Sequence, residues 1–338
     1  MPSPILVTGG AGFIGSHLVR RLVETDARVR VVERPGAVVS HLPERQVDVV
    51  FADICNPEAV RQAVGGCRQV YHLAANPQLW AQKRGSFRRV NYQGTVNVLS
   101  AAREEGAERV LHVSTESILT HDRQRGQIDE EEHIRPGDAI GPYCRSKYLA
   151  ERYALELAAQ GAPVVVVNPT LPIGPGDWGK SPPTQMLLDF CRGGRRAYID
   201  GELNLIDVRD VARGMVLAME RGRYGKRYLL GSENMSVLQV FGELARLTGL
   251  PPPRTRVPYG VALGAAYVSE WLAVVFTHRP PAATVTGVKL TRRKMHFNTA
   301  RSLAELGLTC RPISESLAEA IAWFRAVGWL GGPARSAR

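Results

Sequence analysis

Paired cysteines are missing from this sequence. Its five cysteines, Cys55, Cys67, Cys144, Cys191 and Cys310, are scattered, odd in number and never spaced C-x-x-C. That pattern argues against a disulfide framework or a metal site and for reduced thiols in a cytoplasmic protein. No lysine-rich tail and no zinc-finger spacing accompany the formal net charge of +11. The basic residues are spread out, so nucleic acid is not an expected partner. There is no internal repeat and no low-complexity block. The opening "MPSPILVTGG" runs straight into a strand pattern, without the charged and apolar regions of a secretory leader. The most apolar segment, "VALGAAYVSEWLAVVF" at 261–276, is shorter than a membrane span and carries Glu270. It reads as a helix packed on the protein or lying on a membrane surface.

What is present is an alternation. Short apolar runs ("PILVTG", "RVRVVE", "VDVVFAD", "QVYHLAA", "RVLHVST", "PVVVVNPT") are separated by amphipathic stretches such as "GSHLVRRLVET" and "GTVNVLSAAREEG". Continuously apolar strands with helices between them predict an α/β fold, a doubly wound parallel sheet covered on both faces. After residue 169 the alternation loosens and Pro and Gly become frequent. Helices are expected near 184–193, 236–248, 259–276 and 314–327. The stretch "LNLIDVRDVARG" reads as a strand leading into a helix, a return to the first domain. The expected organisation is a dinucleotide-binding domain over 1–169, rejoined by 203–231. A smaller interleaved α+β substrate lobe takes 170–202 and 232–330, and 331–338 is a tail.

The first strand and helix carry "TGGAGFIGS", with glycines at 9, 12 and 15. A glycine pattern alone is weak, but here it follows a strand and opens a helix at Phe13 and Ile14. Glycines allow the backbone to approach a pyrophosphate, and a helix N-terminus offers free N–H groups and a positive dipole end. Glu33 lies 24 residues after Gly9, near the ~20-residue spacing at which an acid meets the adenosine ribose. A carboxylate there repels a 2′-phosphate and favours NAD. The adjacent Arg34 would suit the 2′-phosphate of NADP, which stays as the alternative. Asp53, followed by Ile54, is placed to meet the adenine. Leu73, Ala74 and Ala75 in "HLAA" supply small and apolar residues where the fourth strand passes the cofactor.

In "GPYCRSKYLAERYALELAAQG", Tyr143 and Lys147 are four residues apart near the first turn of a helix and share a face. A free phenol has a pKa near ~10 and is a poor base at neutral pH. A neighbouring ammonium and a positive nicotinamide would stabilise the phenolate and bring it into working range.

These segments, with "NYQGTVNVL", "HVST", "NPTLPIGPGD" and "LIDVRDVARG", come in the order found in extended short-chain dehydrogenases/reductases, and the likeness covers nearly the whole chain. Within that superfamily the sequence most resembles the hopanoid-associated sugar epimerases and the dihydroflavonol reductase-like group. Bacterial 3β-hydroxysteroid dehydrogenases are near relatives. The resemblance implies that Tyr143 is the general acid/base, that Lys147 also holds the nicotinamide ribose, and that Thr115 binds the substrate oxygen, with Ser114 as its neighbour at the cofactor. Asn91 matches a position that supports the lysine through water, and Asn168 and Pro169 fall on the strand end beside the nicotinamide. Dehydratases of dTDP-glucose resemble the chain at "HVST" but follow the Thr with Asp and Glu. Here Glu116 and Ser117 stand instead, which disfavours loss of water.

The expected substrate residues are Pro77, Leu79 and Trp80, Thr170 to Ile173, and Trp178 to Pro182, with Glu116 in an acid role. This lining is more apolar than a sugar nucleotide needs. Arg195, Arg196, Arg292, Arg293 and Lys294 offer a diphosphate clamp or simply a basic surface. The resulting expectation is an NAD(P)-dependent oxidoreductase acting on a secondary alcohol or ketone of a triterpenoid (hopanoid or sterol) lipid or an attached sugar. Nucleotide-sugar epimerisation, C4-decarboxylating 3β-hydroxysteroid oxidation and non-catalytic NAD(P) sensing are the alternatives. The expected partners are a small-molecule or lipid substrate, a second copy of the chain as a homodimer, and a peripheral contact with the inner membrane surface.

Overall fold

A computed structural model describes residues 3–193 and 196–331. Arg195 and the tail from 332 lie outside the described residues. The apolar runs become strands β1 (Ile5–Thr8), β2 (Val29–Glu33), β3 (Val47–Phe51), β4 (Gln69–His72), β5 (Arg109–Val113) and β6 (Val164–Pro169). Three short strands follow, β7 (Leu171–Ile173), β8 (Ala197–Tyr198) and β9 (Glu202–Asp207), then β10 (Arg227–Leu230), β11 (Glu233–Ser236) and β12 (Thr255–Arg256).

Seven strands form one parallel sheet in the order β10-β6-β5-β4-β1-β2-β3. All six residues of β6 are buried, as a strand covered on both faces requires. One face packs on the helices Phe13–Val23 and Val208–Arg221 through a core that includes Leu18, Leu22, Val211 and Met215. The other packs on Pro57–Val64, Gly94–Glu104 and Gly141–Ala159 through Val60, Val98, Leu99, Ala154 and Leu157. The chain order reverses between β1 and β4, and a crevice at such a switch point is where doubly wound sheets bind ligands.

The second lobe has its own core. Ile173, Leu188, Phe190, Phe241, Leu317 and Phe324 pack together, with Phe190 and Phe241 stacked at 5.5 Å. Its sheet runs β11-β9-β7. The strand at 202–207 therefore pairs inside the small sheet, and the chain rejoins the large domain only with the helix from Val208 and with β10. Leu306 and Leu308, further along, also pack in the large domain's core. The segment read as a helix at 259–276 is the helix Tyr259–Leu272 continued by a wider turn over Ala273–Thr277.

Candidate active site

The glycine loop leaves β1 with Gly9 at φ +72°. A Cβ there would lie 2.8 Å from the Ala74 nitrogen, and one at Gly15 would overlap the Gly9 carbonyl. The backbone thus packs closer than any side chain permits. Gly12 is the N-cap of the helix Phe13–Val23 and brings no side chain of its own to the helix start. The N–H groups at Phe13 and Ile14 open that helix, so its anion-binding end lies at the switch point.

Glu33 closes β2 and turns back to the loop, where its Oε1 accepts from Ala11 N at 2.7 Å. Burial pushes its carboxyl above the ordinary range, against the Ala11 and Arg34 backbone N–H groups and the Arg34 charge. Arg34 itself is exposed. Asp53 accepts from Cys55 N at 2.9 Å and faces Arg89 at 3.5 Å. The Cys55 N–H is the main reason its pKa is lowered. Ile54 is buried under Gly94. Leu73, Ala74 and Ala75 follow β4, with Leu73 N donating to the Thr8 carbonyl (3.1 Å) and Ala74 N to Thr8 Oγ1 (3.2 Å).

Tyr143, Lys147 and Glu151 descend one face of the helix Gly141–Ala159. Tyr143 is half-buried, with its ring edge-on to Phe87 at 6.4 Å. Lys147 is buried and donates from Nζ to the Val113 carbonyl at the end of β5 (2.7 Å). Burial lowers its pKa to about 8, and the Glu151 charge partly opposes this. In the protein without its cofactor, other groups set the phenol pKa. Burial first, then the Glu116 and Cys144 charges, raise the phenol pKa, and only its contact with Thr115 works the other way. A lowered phenol pKa is therefore not a property of the protein alone.

Thr115 follows β5 and caps a short helical turn, Glu116–Leu119. Its hydroxyl donates to Glu116 Oε2 at 2.8 Å and lies 3.1 Å from Ser117 Oγ. Glu116 is buried, not a solvated loop carboxylate, and burial pushes its pKa up to about 7. The Ser114 hydroxyl is buried without a hydrogen-bond partner. An orphaned donor at the strand ends, over a loop that only glycine can form, suits a bound dinucleotide.

Asn91 and Asn168 have structural partners. Asn91 sits on a widened helical turn, Arg88–Gln93. It accepts from Asn76 N (2.6 Å) and donates to Ser146 Oγ (3.0 Å), next to Lys147. Asn168 donates to the Thr115 carbonyl (3.1 Å) and to Glu151 Oε2 (2.6 Å), and Glu151 pairs with Arg227 at 2.7 Å. Pro169 ends β6 and pairs with Leu230. Sequence reasoning passed over Glu151, although its i+4 spacing from Lys147 was the available signal. It also passed over His72, which bridges Thr8 and Thr95 from inside the sheet and stacks on His112 at 5.5 Å.

A cleft of about 270 Å³ opens at Phe87 and Pro142, neighbours of Tyr143, which does not itself line it; Leu79, Trp80, Ile140 and Val285 also wall it. Arg84, Arg145, Glu270 and Lys289 also face it. Trp80, an expected substrate residue, lines this cleft. Three other expected substrate residues do not. Ile173 is a core residue of the second lobe, and Thr170 is buried with its hydroxyl on the Leu230 carbonyl (3.3 Å). Trp178 stands apart, packed edge-on against Trp323 (5.1 Å) and Trp329 (6.1 Å). The diphosphate clamp also disperses. Arg293 is buried against Asp122 (2.7 Å) and Arg292 lies over the Tyr259 ring at 4.9 Å.

The family model for the NAD dependent epimerase/dehydratase family matches residues 5–231, the glycine loop through β10. The chain belongs to that family. It is an enzyme of the extended short-chain dehydrogenase/reductase type, and NAD is its cofactor. It is 37% identical over 334 residues to a putative dihydroflavonol 4-reductase of Synechocystis, covering 98% of this chain and 97% of that protein. It is 31% identical over 326 residues to sterol demethylase protein B of Methylococcus capsulatus, covering 96% and 99%. Among solved structures it superimposes on the crystal structure of gox2253 with a TM-score of 0.85 and 34% identity, covering 97% of this chain and 100% of that one.

Proposed function

We propose that this enzyme moves a hydride between NAD and a secondary alcohol or ketone on a polycyclic triterpenoid lipid of the sterol or hopanoid kind. The observation that carries the reading is the apolar wall that Leu79, Trp80, Phe87, Ile140, Pro142 and Val285 give the cleft next to the Tyr143 segment. A rigid hydrocarbon ring system gains from burial against such walls, at about 25 cal/mol per Å² of apolar surface removed from water. A sugar nucleotide does not. The likeness to a protein named as a sterol demethylase component points the same way.

Thr115 and Tyr143 hold the substrate oxygen between two hydroxyls. In the oxidative direction Tyr143 takes the hydroxyl proton; NAD, when bound, would supply the hydride acceptor. Lys147, buried and anchored on the Val113 carbonyl, would hold a cation near the bound cofactor. Glu116 sets the hydrogen-bonding state of Thr115, because the Thr115 proton points at its carboxylate.

A second reading has its own observation. Arg84, Arg145 and Lys289 face the cleft and suit a carboxylate on the ring next to the alcohol. Oxidation of such a β-hydroxy acid gives a β-keto acid. Its C–C bond electrons pass to the enolate as carbon dioxide leaves, and the enolate is then protonated at carbon.

The test is NADH formation, followed by absorbance, with sterol, hopanoid and sugar-nucleotide alcohols. Turnover of a polycyclic alcohol supports the reading. Carbon dioxide release from a sterol carboxylate selects the second. Interconversion of sugar nucleotides without net NADH, and no reaction with lipids, would leave an epimerase.

A further inference from the structure

The helix Tyr259–Thr277 is the most apolar exposed feature among the described residues. It runs 19 residues at a mean hydropathy of 1.5. Its faces have three different surroundings. Ala262, Ala266 and Ala273 are buried on a seam with Val288 and neighbouring residues of the second lobe. Tyr267 and Glu270 line the cleft next to the Tyr143 segment. The remaining face carries Val268, Trp271, Leu272, Val275 and Phe276, all exposed, with Trp271 at 57% and Phe276 at 65%. An apolar face of that size on an otherwise charged protein marks an interaction site.

The helix is not free to cross a bilayer. Glu270 is tied to the lobe, accepting from Val285 N at 2.8 Å and facing Arg84 at 3.7 Å. Crossing would strip the alanine seam and carry that carboxylate into hydrocarbon.

Cations accompany the helix along its length. Lys289 lies over the Tyr267 ring at 6.0 Å and Arg292 over Tyr259 at 4.9 Å. Arg84 reaches Glu270, and Arg279 follows the helix end, exposed. A second copy docking here about a two-fold axis would bring these same cations together. An anionic membrane surface complements them, and Trp beside aliphatic residues and Arg suits the interfacial zone.

We propose that the helix 259–277 is a membrane-docking element that lies flat in the interface of an anionic bilayer, with the Trp271–Phe276 face in the acyl boundary and the mouth of the cleft against the membrane. Docking requires nothing of the substrate. Delivery of a lipid from the bilayer past Tyr267 into the cleft rests on the proposed function.

The test is flotation of the full chain, without substrate, on phosphatidylcholine vesicles with and without about one-third phosphatidylglycerol. The chain should float with the anionic vesicles at low salt. Binding should fall severalfold on neutral vesicles or when salt shrinks the screening length to a few ångströms. Trp271→Glu with Phe276→Glu should lower binding at least about tenfold, since two large apolar side chains no longer leave water. Its melting temperature should stay unchanged. Should that variant misfold, Arg279→Glu with Arg292→Glu, which keeps the apolar face, should lose the preference for anionic vesicles. No flotation at low salt overturns the proposal, as does equal binding by a folded variant. So does loss of a dimer in the Trp271/Phe276 variant with no vesicle binding by the parent, which would make the face a contact between copies. None of these outcomes touches the triterpenoid reading, which the NADH assay tests in detergent.

Discussion

Tyr143, which takes the substrate proton in the proposed reaction, carries a hydroxyl whose pKa burial raises. It therefore depends on bound cofactor, and on Lys147 behind it, to become a base. Tyr143→Phe keeps the ring against Phe87 but cannot carry the proton. Turnover should fall by about 10²-fold or more, while NAD still quenches protein fluorescence. Near-normal kcat would remove Tyr143 from the chemistry. Glu116 gives a second residue-scale prediction. With its pKa pushed up to about 7, it ionises across the neutral range, and the ionised form keeps the Thr115 proton from the substrate. The kcat/KM profile should show a step near neutral pH that Glu116→Gln abolishes. The same shift acts on stability. A carboxyl whose folded pKa lies above its unfolded value binds more protons when folded, so stability falls as pH rises from about 4.5 through about 7. Glu116→Gln should therefore stabilise the protein at pH 8, on the order of 1–3 kcal/mol. The gain should vanish near pH 4.5, and thermal melts at the two pH values would measure it.

At the scale of elements, the helix Gly141–Ala159 is fixed to the sheet by polar groups as well as apolar ones. Lys147 bonds the end of β5, and Glu151 joins Asn168 on β6 and Arg227 on β10. Arg227→Met would leave Glu151, 3% exposed, a buried carboxylate without its ion-pair partner, held only by Asn168. Removing one partner of a buried pair costs about 3–5 kcal/mol. Denaturant melts should show that loss, and Glu151→Gln in the same chain should recover part of it. The elements were largely legible beforehand. The strands of the parallel sheet are continuous apolar runs, and the glycine loop and Tyr-x-x-x-Lys helix are spaced by backbone geometry that the sequence states directly. The helix boundaries at 237–248 and 313–326 fall within a residue or two of the pattern. What the sequence hid depends on long-range contact. Trp178 looks like pocket lining until Trp323 and Trp329, some 150 residues later, pack on it. Ile173 reads as a wall residue because nothing local says that Phe241 and Leu317 bury it. That Glu116 is buried could not be read locally either, because burial is a property of the assembled lobes.

For the molecule as a whole, cofactor binding and folding are one equilibrium. NAD at about one hundred times its Kd should stabilise the fold by about 2.7 kcal/mol, a shift of several degrees in a thermal melt. NADP at the same concentration should do less, because Glu33 is held at the glycine loop by Ala11 and opposes a 2′-phosphate. Glu33→Ala should narrow that gap, and a larger shift with NADP than with NAD would assign the choice to Arg34 instead. The mass balance of the reaction is the last whole-molecule property that the site sets. Eliminating water needs one group to take a carbon-bound proton and another to protonate the departing hydroxyl. Glu116 has the burial and the pKa for one such role, but the next position is Ser117, whose hydroxyl lies 3.1 Å from Thr115 Oγ1 and accepts from Cys144 at 3.6 Å. Among the described residues no second carboxylate is hydrogen-bonded to it. The product should therefore differ from substrate by two hydrogens, or by carbon dioxide and two hydrogens if a β-keto acid forms. Mass spectrometry of a single-turnover mixture would read this directly. A product lighter by one water would show that Glu116 alone suffices for elimination, and Ser117→Glu should then accelerate it.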